Sequence, residues 1–338
     1  MAGEWRLGEV AEIIMGQSPP GETYNELGEG LPFFQGVADF NYRFPTPRVY
    51  CTEPSRIAKP GDILLSVRAP IGRVNIADRE CAIGRGLCII RASNPEDARY
   101  LEFVLRAKES QWDAIEGSGS VFGNATRRDL EMLPIPWPRE TAQRRAIAHI
   151  LGTLDDKIEL NRRMNETLEH IAQAIFKSWF IDATRDGLPE GWRVTKLGEI
   201  ADVNWGDTNV TKKSYVDKGY LAYSAKGPDG FLSYYDYDRA GVVVSAIGAN
   251  SGYTWLARGK WSCIKNTIRF WATVPDISTE YLFFATRGDK IWPLRGSAQP
   301  FISQTDARNL SVVYPANGLA KRFGEIIAPM FDKIEYNK

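Results

Sequence analysis

From Ile147 to Trp179 the apolar residues recur at alternating intervals of four and three: Ile147, Leu151, Leu154, Ile158, then Leu168, Ala172, Ile175 and Trp179, with Asn161 and Asn165 holding the steps between. A sustained period of 3.5 marks the seam of a coiled coil rather than a helix lying on a sheet. Between Arg139 and Ile181 there is no proline and only Gly152 among the glycines, so the pattern predicts one helix over 139–181. At about 1.5 Å per residue it would measure roughly 65 Å. The seam returns near the end of the chain as Phe323, Ile327, Met330, Ile334 and Asn337, where Asp332-Lys333-Ile334-Glu335 repeats Asp156-Lys157-Ile158-Glu159. Two matching faces predict antiparallel packing of the two helices. Asn161 and Asn165 then either pair across the seam and fix its register or lie in a solvated stretch. The second helix has no counterpart of residues 162–181, so Leu168, Ala172, Ile175 and Trp179 are expected to form a bare apolar stripe that favours self-association. Pro329 inside the second helix costs about 3 kcal/mol or forces a kink.

Elsewhere the apolar runs are short, β-branched or aromatic, and bounded by Gly, Pro and Asp, as in 63–67, 87–91, 242–246 and 267–272. Residues 100–108 and 280–286 read as short helices. These pieces recur in order. Trp5-Arg6 with Leu7-Gly8-Glu9-Val10-Ala11 returns as Trp192-Arg193 with Leu197-Gly198-Glu199-Ile200-Ala201; Gly61 to Ser66 returns as Gly241 to Ser245; Tyr100-Leu101-Glu102-Phe103 returns as Tyr281-Leu282-Phe283-Phe284. Gly117-Ser118 with Phe122 matches Gly296-Ser297 with Phe301, and each copy closes on a strand, 133–138 and 312–315. The expected fold is α+β: two pseudo-symmetric mixed α/β domains joined by long helices in an antiparallel coiled coil. The expected boundaries are 1–138 for the first domain, 139–185 for the spacer helix, 186–315 for the second domain and 316–338 for the second, shortened helix.

Composition narrows the chemistry. Forty-two Lys and Arg balance 42 Asp and Glu, so a simple electrostatic nucleic-acid binder is not what the chain announces. Arginine, suited to planar bidentate recognition, nevertheless dominates the cations of residues 1–135, 13 of 15. Cys51, Cys81, Cys88 and Cys263 form no Cys-x-x-Cys pair and read as buried thiols. His149 and His170, the only histidines, share the long helix, which argues against a histidine-based triad or metal site. No apolar run reaches membrane-spanning length and Met1 to Arg6 has no signal-peptide core. A cytoplasmic protein is expected.

The ordered set Leu7-Gly8-Glu9, Met15-Gly16-Gln17-Ser18-Pro19-Pro20, Leu31 to Gly36, Ser66 to Gly72, Ile83-Gly84-Arg85-Gly86, Leu151 to Asn165 and Ile175 to Phe180 resembles the specificity (S) subunit of Type I restriction-modification enzymes over nearly the whole chain. The resemblance implies two target-recognition domains, each reading one half of a split DNA site, with conserved helices as a ruler. It implies as partners double-stranded DNA, methyltransferase (M) subunits that bind S-adenosylmethionine and methylate adenine N6, and translocating restriction (R) subunits. It also implies that this chain itself has no catalytic residues, metal or cofactor.

Candidate base-reading residues follow from side-chain chemistry in loops: Gln17, Gln35, Arg68, Arg73 and Arg85 in the first domain, and Lys226, Asn250, Lys265 and Asn266 in the second. Arg and Lys suit guanine, Asn and Gln adenine; a phosphate contact or a structural hydrogen bond is the alternative for each. Tyr234, Tyr235 and Tyr237 line either a nucleic-acid surface or a half-buried strand. Two enzyme readings compete. Ser18-Pro19-Pro20 resembles an adenine methyltransferase motif, but Gly21 stands where that motif has an aromatic residue, and no dinucleotide-type fold surrounds the Gly-x-Gly pairs at 84–86 and 117–119. A metal-dependent nuclease would need clustered carboxylates, for which Asp155, Asp156, Asp236 and Asp238 offer only pairs that read as exposed helix and turn charges. A third reading is a truncated specificity subunit acting as a homodimer on a palindromic split site.

Overall fold

The computed structural model describes residues 3–110, 112, 124–288, 290–296 and 299–338, which form two compact units, 1–160 and 161–338. The matched elements Gly117, Ser118, Phe122 and Ser297, and the glycine pair ending at Gly119, lie outside the described residues.

In the first unit β1 (Gly3–Arg6) runs into a single turn, α1 (Leu7–Val10), and then β2 (Ala11–Met15). Strands β3 (Tyr24–Asn25), β4 (Leu31–Phe34), β5 (Tyr50–Cys51), β6 (Ile57–Ala58), β7 (Ile63–Ser66), β8 (Val74–Ile76), β9 (Cys81–Ile83) and β10 (Leu87–Ala92) follow, then α2 (Ala98–Ala107), α3 (Arg127–Glu131), β11 (Pro134–Trp137) and α4 (Thr141–Phe176). One four-stranded sheet has the order β2-β10-β7-β8, with Ile89 of β10 facing Ile14 and Leu64. A five-stranded sheet, β3-β5-β4-β9-β6, lies beside it, and β1 pairs with β11. The apolar runs of β7 and β10 do not alternate because both faces are buried. Ile63, Leu65 and Ile90 pack with Leu101, Val104 and Leu105 of α2, while Leu64 and Ile89 pack with Phe34, Ala58 and Ile83 of the second sheet. Each such side chain contributes about 1.5–3 kcal/mol on burial.

The second unit repeats the plan: β12 (Arg193–Lys196), α5 (Leu197–Ile200), β13 (Ala201–Trp205), β14 (Tyr220–Ser224), β15 (Gly227–Leu232), β16 (Tyr237–Asp238), β17 (Gly241–Ser245), β18 (Thr254–Ala257), β19 (Lys260–Cys263), β20 (Thr267–Ala272), α6 (Thr279–Ala285), α7 (Gln304–Arg308), β21 (Ser311–Tyr314) and α8 (Leu319–Tyr336). The sheet order β13-β20-β17-β18 copies β2-β10-β7-β8, and β12 pairs with β21 as β1 does with β11. Short helices at α2 and α6 stand where the periodicity predicts them. All four cysteines are buried and unbridged, and burial pushes the thiols of Cys81, Cys88 and Cys263 up to about 12.

Helix α4 is continuous over Thr141–Phe176, beginning two residues later than the sequence predicts and ending in a π-helical stretch, Lys177–Ile181. In the second unit its distal part runs antiparallel to α8. Asn161 Nδ2 donates to the Asn337 carbonyl at 3.3 Å, Asn165 Nδ2 to the Ile334 carbonyl at 3.4 Å, and Asn337 Nδ2 to Asn165 Oδ1 at 2.8 Å. Farther along, Ala172, Phe176 and Phe180 join Phe323, Ile327 and Ile334 in one core, with Leu168, Ile175, Trp179 and Met330 against it. The asparagines therefore pair across the seam.

The expectation of a bare stripe at 162–181 is wrong. In an antiparallel pair the end of one helix faces the start of the other, so the segment without a counterpart is the first half of the seam. There Leu151, Leu154 and Ile158 are 39%, 59% and 46% exposed, and only Ile147 packs on the first unit's core. Pro329 is accommodated inside α8, which stays helical from Leu319 to Tyr336.

Candidate nucleic-acid interface

In the first unit four backbone turns converge beyond the ends of the central strands. Gln17 N donates to the Ile83 carbonyl at 3.1 Å, Val67 N to the Gly86 carbonyl at 2.9 Å and Gly84 N to the Phe34 carbonyl at 2.8 Å. These bonds bring Ser18, Gln35, Arg68 and Arg85 around a polar hollow of about 260 Å³. Its floor is tight: a Cβ on Gly86 would stand 2.1 Å from the Gln35 carbonyl oxygen, so only glycine lets the two turns meet. Arg85 Nε lies 3.4 Å from Ser18 Oγ, and the Ser66 hydroxyl donates to the Pro70 carbonyl at 2.6 Å while accepting from Arg73 N at 2.9 Å, which fixes the loop that carries Arg68.

Gln17, Gln35, Arg68 and Arg85 are exposed. Among the described residues no carboxylate pairs with Arg68 or Arg85, so two guanidinium forks face solvent beside an amide. Arg73 is elsewhere: its Nη1 lies 3.4 Å from Glu109 Oε2, in a separate depression with Phe40, Tyr42 and Arg106.

The second unit builds the same turns with other side chains. Asp207 N donates to the Cys263 carbonyl at 2.9 Å, Ala246 N to the Asn266 carbonyl at 3.0 Å and Ile264 N to the Tyr223 carbonyl at 2.9 Å, matching the first unit's bonds one for one. Lys265 and Asn266 occupy the turn of Arg85 and Gly86. Asn266 takes φ 71°, a left-handed conformation that asparagine tolerates. Asn250 Nδ2 reaches the Ala225 carbonyl at 3.4 Å, next to exposed Lys226. All four sequence candidates of this unit therefore sit at the corresponding turns.

The structure overturns one reading, decides a second and agrees with a third. Asp155 is no exposed helix charge: its side chain is 6% exposed and accepts from Arg99 at 2.7 Å, Arg106 at 3.4 Å and the Tyr42 hydroxyl at 3.0 Å. Tyr237 is structural, its ring 4.6 Å from that of Trp261 and 5.3 Å from that of Trp271, whereas Tyr234 and Tyr235 are exposed and Lys260 lies over Tyr235. Gly84-Arg85-Gly86 joins two strands, not a strand and a helix. Among the described residues no three His, Cys, Asp or Glu side chains converge as metal ligands, and no helix is long and apolar enough to cross a membrane. Ser18 and Ser66 escaped the sequence reading of the site. Ser18 stood inside a quoted run, but only the turn geometry shows it facing Arg85.

Two copies of one α+β fold with equivalent loops at the same edge define a class, the internally duplicated two-domain proteins, and comparison with known proteins identifies the family. Residues 3–170 match the family described as Type I restriction modification DNA specificity domain. The chain belongs to the specificity subunits of type I restriction-modification systems. It is 38% identical over 177 residues to the MjaX specificity subunit assigned to a type I restriction enzyme of Methanocaldococcus jannaschii, a match covering 51% of this chain and 41% of that one. It is 23% identical to the type I restriction enzyme MjaIX specificity subunit of the same organism, over 98% of this chain and 87% of that one. The crystal structure of a type I restriction-modification S subunit from M. genitalium shares the fold, with TM-score 0.67 and 17% identity over 100% of this chain and 91% of that one.

Proposed function

We propose that this chain is the non-catalytic DNA-reading subunit of a type I restriction-modification enzyme, each unit reading one half of a bipartite, asymmetric site. One observation carries the reading. Equivalent turns form the same loop cluster in both units, yet present Gln35, Arg68 and Arg85 in one and Lys226, Asn250, Lys265 and Asn266 in the other. A conserved scaffold with exchanged donors suits two different half-sites. The long helix acts in this reading as a ruler, since half-sites must meet the groove in phase on DNA that advances about 34–36 Å per turn. In this reading the methyltransferase partner holds S-adenosylmethionine and methylates adenine N6, the restriction subunit supplies the motor, and the assembly works in the cytoplasm. Near-neutral net charge fits a subunit whose partners share the attraction to phosphates.

A second reading, a homodimer on a palindromic split site, is favoured by the uncovered Leu151, Leu154 and Ile158. Mapping methylated adenines in cells that express the chain with its methyltransferase separates the two. An asymmetric split motif that depends on this chain supports the first reading, a palindrome of one half-site supports the second, and no chain-dependent methylation refutes both. Arg85→Ala is expected to relax or abolish one half-site while Lys265→Ala affects the other.

A further inference from the structure

The two units differ in the connection from β4 to β7, whose counterpart in the second unit runs from β14 to β17. Residues 35–62 make this connection in the first unit and residues 225–240 in the second, so the first carries about a dozen extra residues. Part of the excess, Asn41 to Phe44, lies along the outer edge of β8. Ile76 N donates to the Arg43 carbonyl at 2.9 Å, the Asn75 amide to the Asn41 carbonyl at 2.8 Å, the Tyr42 hydroxyl reaches Asp155, Arg43 pairs with Asp156, and the Arg106 guanidinium lies 5.7 Å from the Tyr42 ring.

In the internal repeat Asn75, Ile76, Arg106 and Asp155 correspond to Trp255, Leu256, Arg287 and Phe331. All four of these line a single open cavity of about 620 Å³ in the second unit. Strand β18, the counterpart of β8, is the last strand of its sheet, and among the described residues no segment pairs with its outer edge. Phe283, Trp292 and Phe331 make the cavity aromatic, and Thr254 Oγ1 is buried there without a hydrogen-bond partner.

We propose that this cavity receives an extended segment of a partner polypeptide, which adds to the edge of β18 and inserts an aromatic side chain against Phe283 and Phe331. The first unit shows what covers this position when the chain supplies it: a segment that runs along the edge, offers its Arg43 carbonyl to the outward Ile76 N–H, and sets its Tyr42 ring under the arginine of the neighbouring helix. An unpaired edge next to side-chain pockets is the arrangement that binds peptides by strand addition. The aromatic residue should be Phe rather than Tyr, because Phe331 replaces the carboxylate that holds the Tyr42 hydroxyl. A cation at the position of Arg43 is not required, since Arg258 already pairs with Asp332 at 2.6 Å.

The test uses the full chain and a fluorescein-labelled peptide with the sequence of residues 38–46, together with its Tyr42→Phe version. Fluorescence anisotropy should show saturable binding with a dissociation constant on the order of 100 µM, several-fold tighter for the Phe peptide. Hydrogen exchange of 254–257 should slow on binding. Thr254→Trp, which fills the cavity, should abolish binding; Tyr253→Trp at the exposed rim serves if the first variant does not fold. Absence of saturable binding by either peptide, binding that survives both variants, or slowed exchange elsewhere but not at β18 overturns the proposal.

Discussion

The same joint, where the carboxy-terminal helix of each unit docks on its domain, rests on a buried network of charges in the first unit and mainly on apolar packing, with a single Arg258–Glu280–Asp332 bridge, in the second. In the first, Arg144 is buried against Asp97 with Nε to Oδ1 at 2.8 Å, and the carboxylates of Asp155 and Glu102, 6% and 3% exposed, are held by Arg43, Arg99 and Arg106. In the second, the corresponding positions are Ala320 against Ser278, and Phe331 against Phe283 with ring centroids 6.1 Å apart. Arg106 pairs with Glu102 at 3.0 Å, whereas its counterpart Arg287 lies over the ring of Phe283 at 5.3 Å. A Cβ on Gly324 would come within 2.3 Å of Ser278 Cβ, so the second helix approaches its domain too closely for a side chain there. One backbone arrangement thus accepts two chemistries. A buried ionic network offsets its own desolvation and adds directional bonds, while an aromatic cluster draws on buried area.

Moving the first unit's chemistry into the second should have the largest effect. Phe331→Asp removes a large buried side chain, worth about 3–5 kcal/mol, and sets a carboxylate against the rings of Phe283 and Phe284, with Arg287, over the Phe283 ring, in place of the three arginines that hold Asp155. Hydrogen exchange in α6 should accelerate far more than in α2, and equal acceleration would show that the two joints are not independent. Next in size is Asp155→Ala, which strips a shared partner from three arginines but leaves Glu102 and Asp156, for a loss of about 3 kcal/mol in the first unit. Urea unfolding followed through α2 exchange measures it. An unchanged midpoint would mean that the ionic joint contributes specificity rather than stability.

The smallest effect comes from a feature on which the units agree. Thr126 caps α3 by accepting from Asp129 N at 3.3 Å, and Ser303 caps α7 by accepting from Asp306 N at 3.1 Å. The Thr126 hydroxyl holds the Asp129 carboxyl below its ordinary value, and Ser303, helped by Arg295, does the same for Asp306. A depressed folded value means that the stabilisation is present above the ordinary carboxylate range, near 3.8, and is lost as pH falls through the folded value. Thr126→Ala and Ser303→Ala should each cost about 1 kcal/mol near neutrality and less at pH 3. Urea midpoints of both variants at the two pH values check this.

The amino-acid sequence determined the repeat, both short helices, the central strands and the 3.5-residue seam, because each is a local periodicity or an ordered set of residues. It also pointed to residues on the turns that the fold gathers at one edge of each unit, Arg73 excepted, since Gly, Pro and Arg cluster where loops must bend and donate. What only the tertiary structure decided depends on residues far apart in the chain. Antiparallel pairing fixed which half of the seam is bare: Leu151, Leu154 and Ile158 instead of Leu168 and Trp179. Long-range pairing turned Asp155 from a helix-surface charge into the centre of an arginine network, and drew Arg73 away to Glu109. The covering of β8 by Asn41 to Phe44, and the open edge of β18, follow from a loop-length difference whose consequence exists only once strands and helices stand side by side. Periodicity reports which face of an element is buried; what buries it is set by packing.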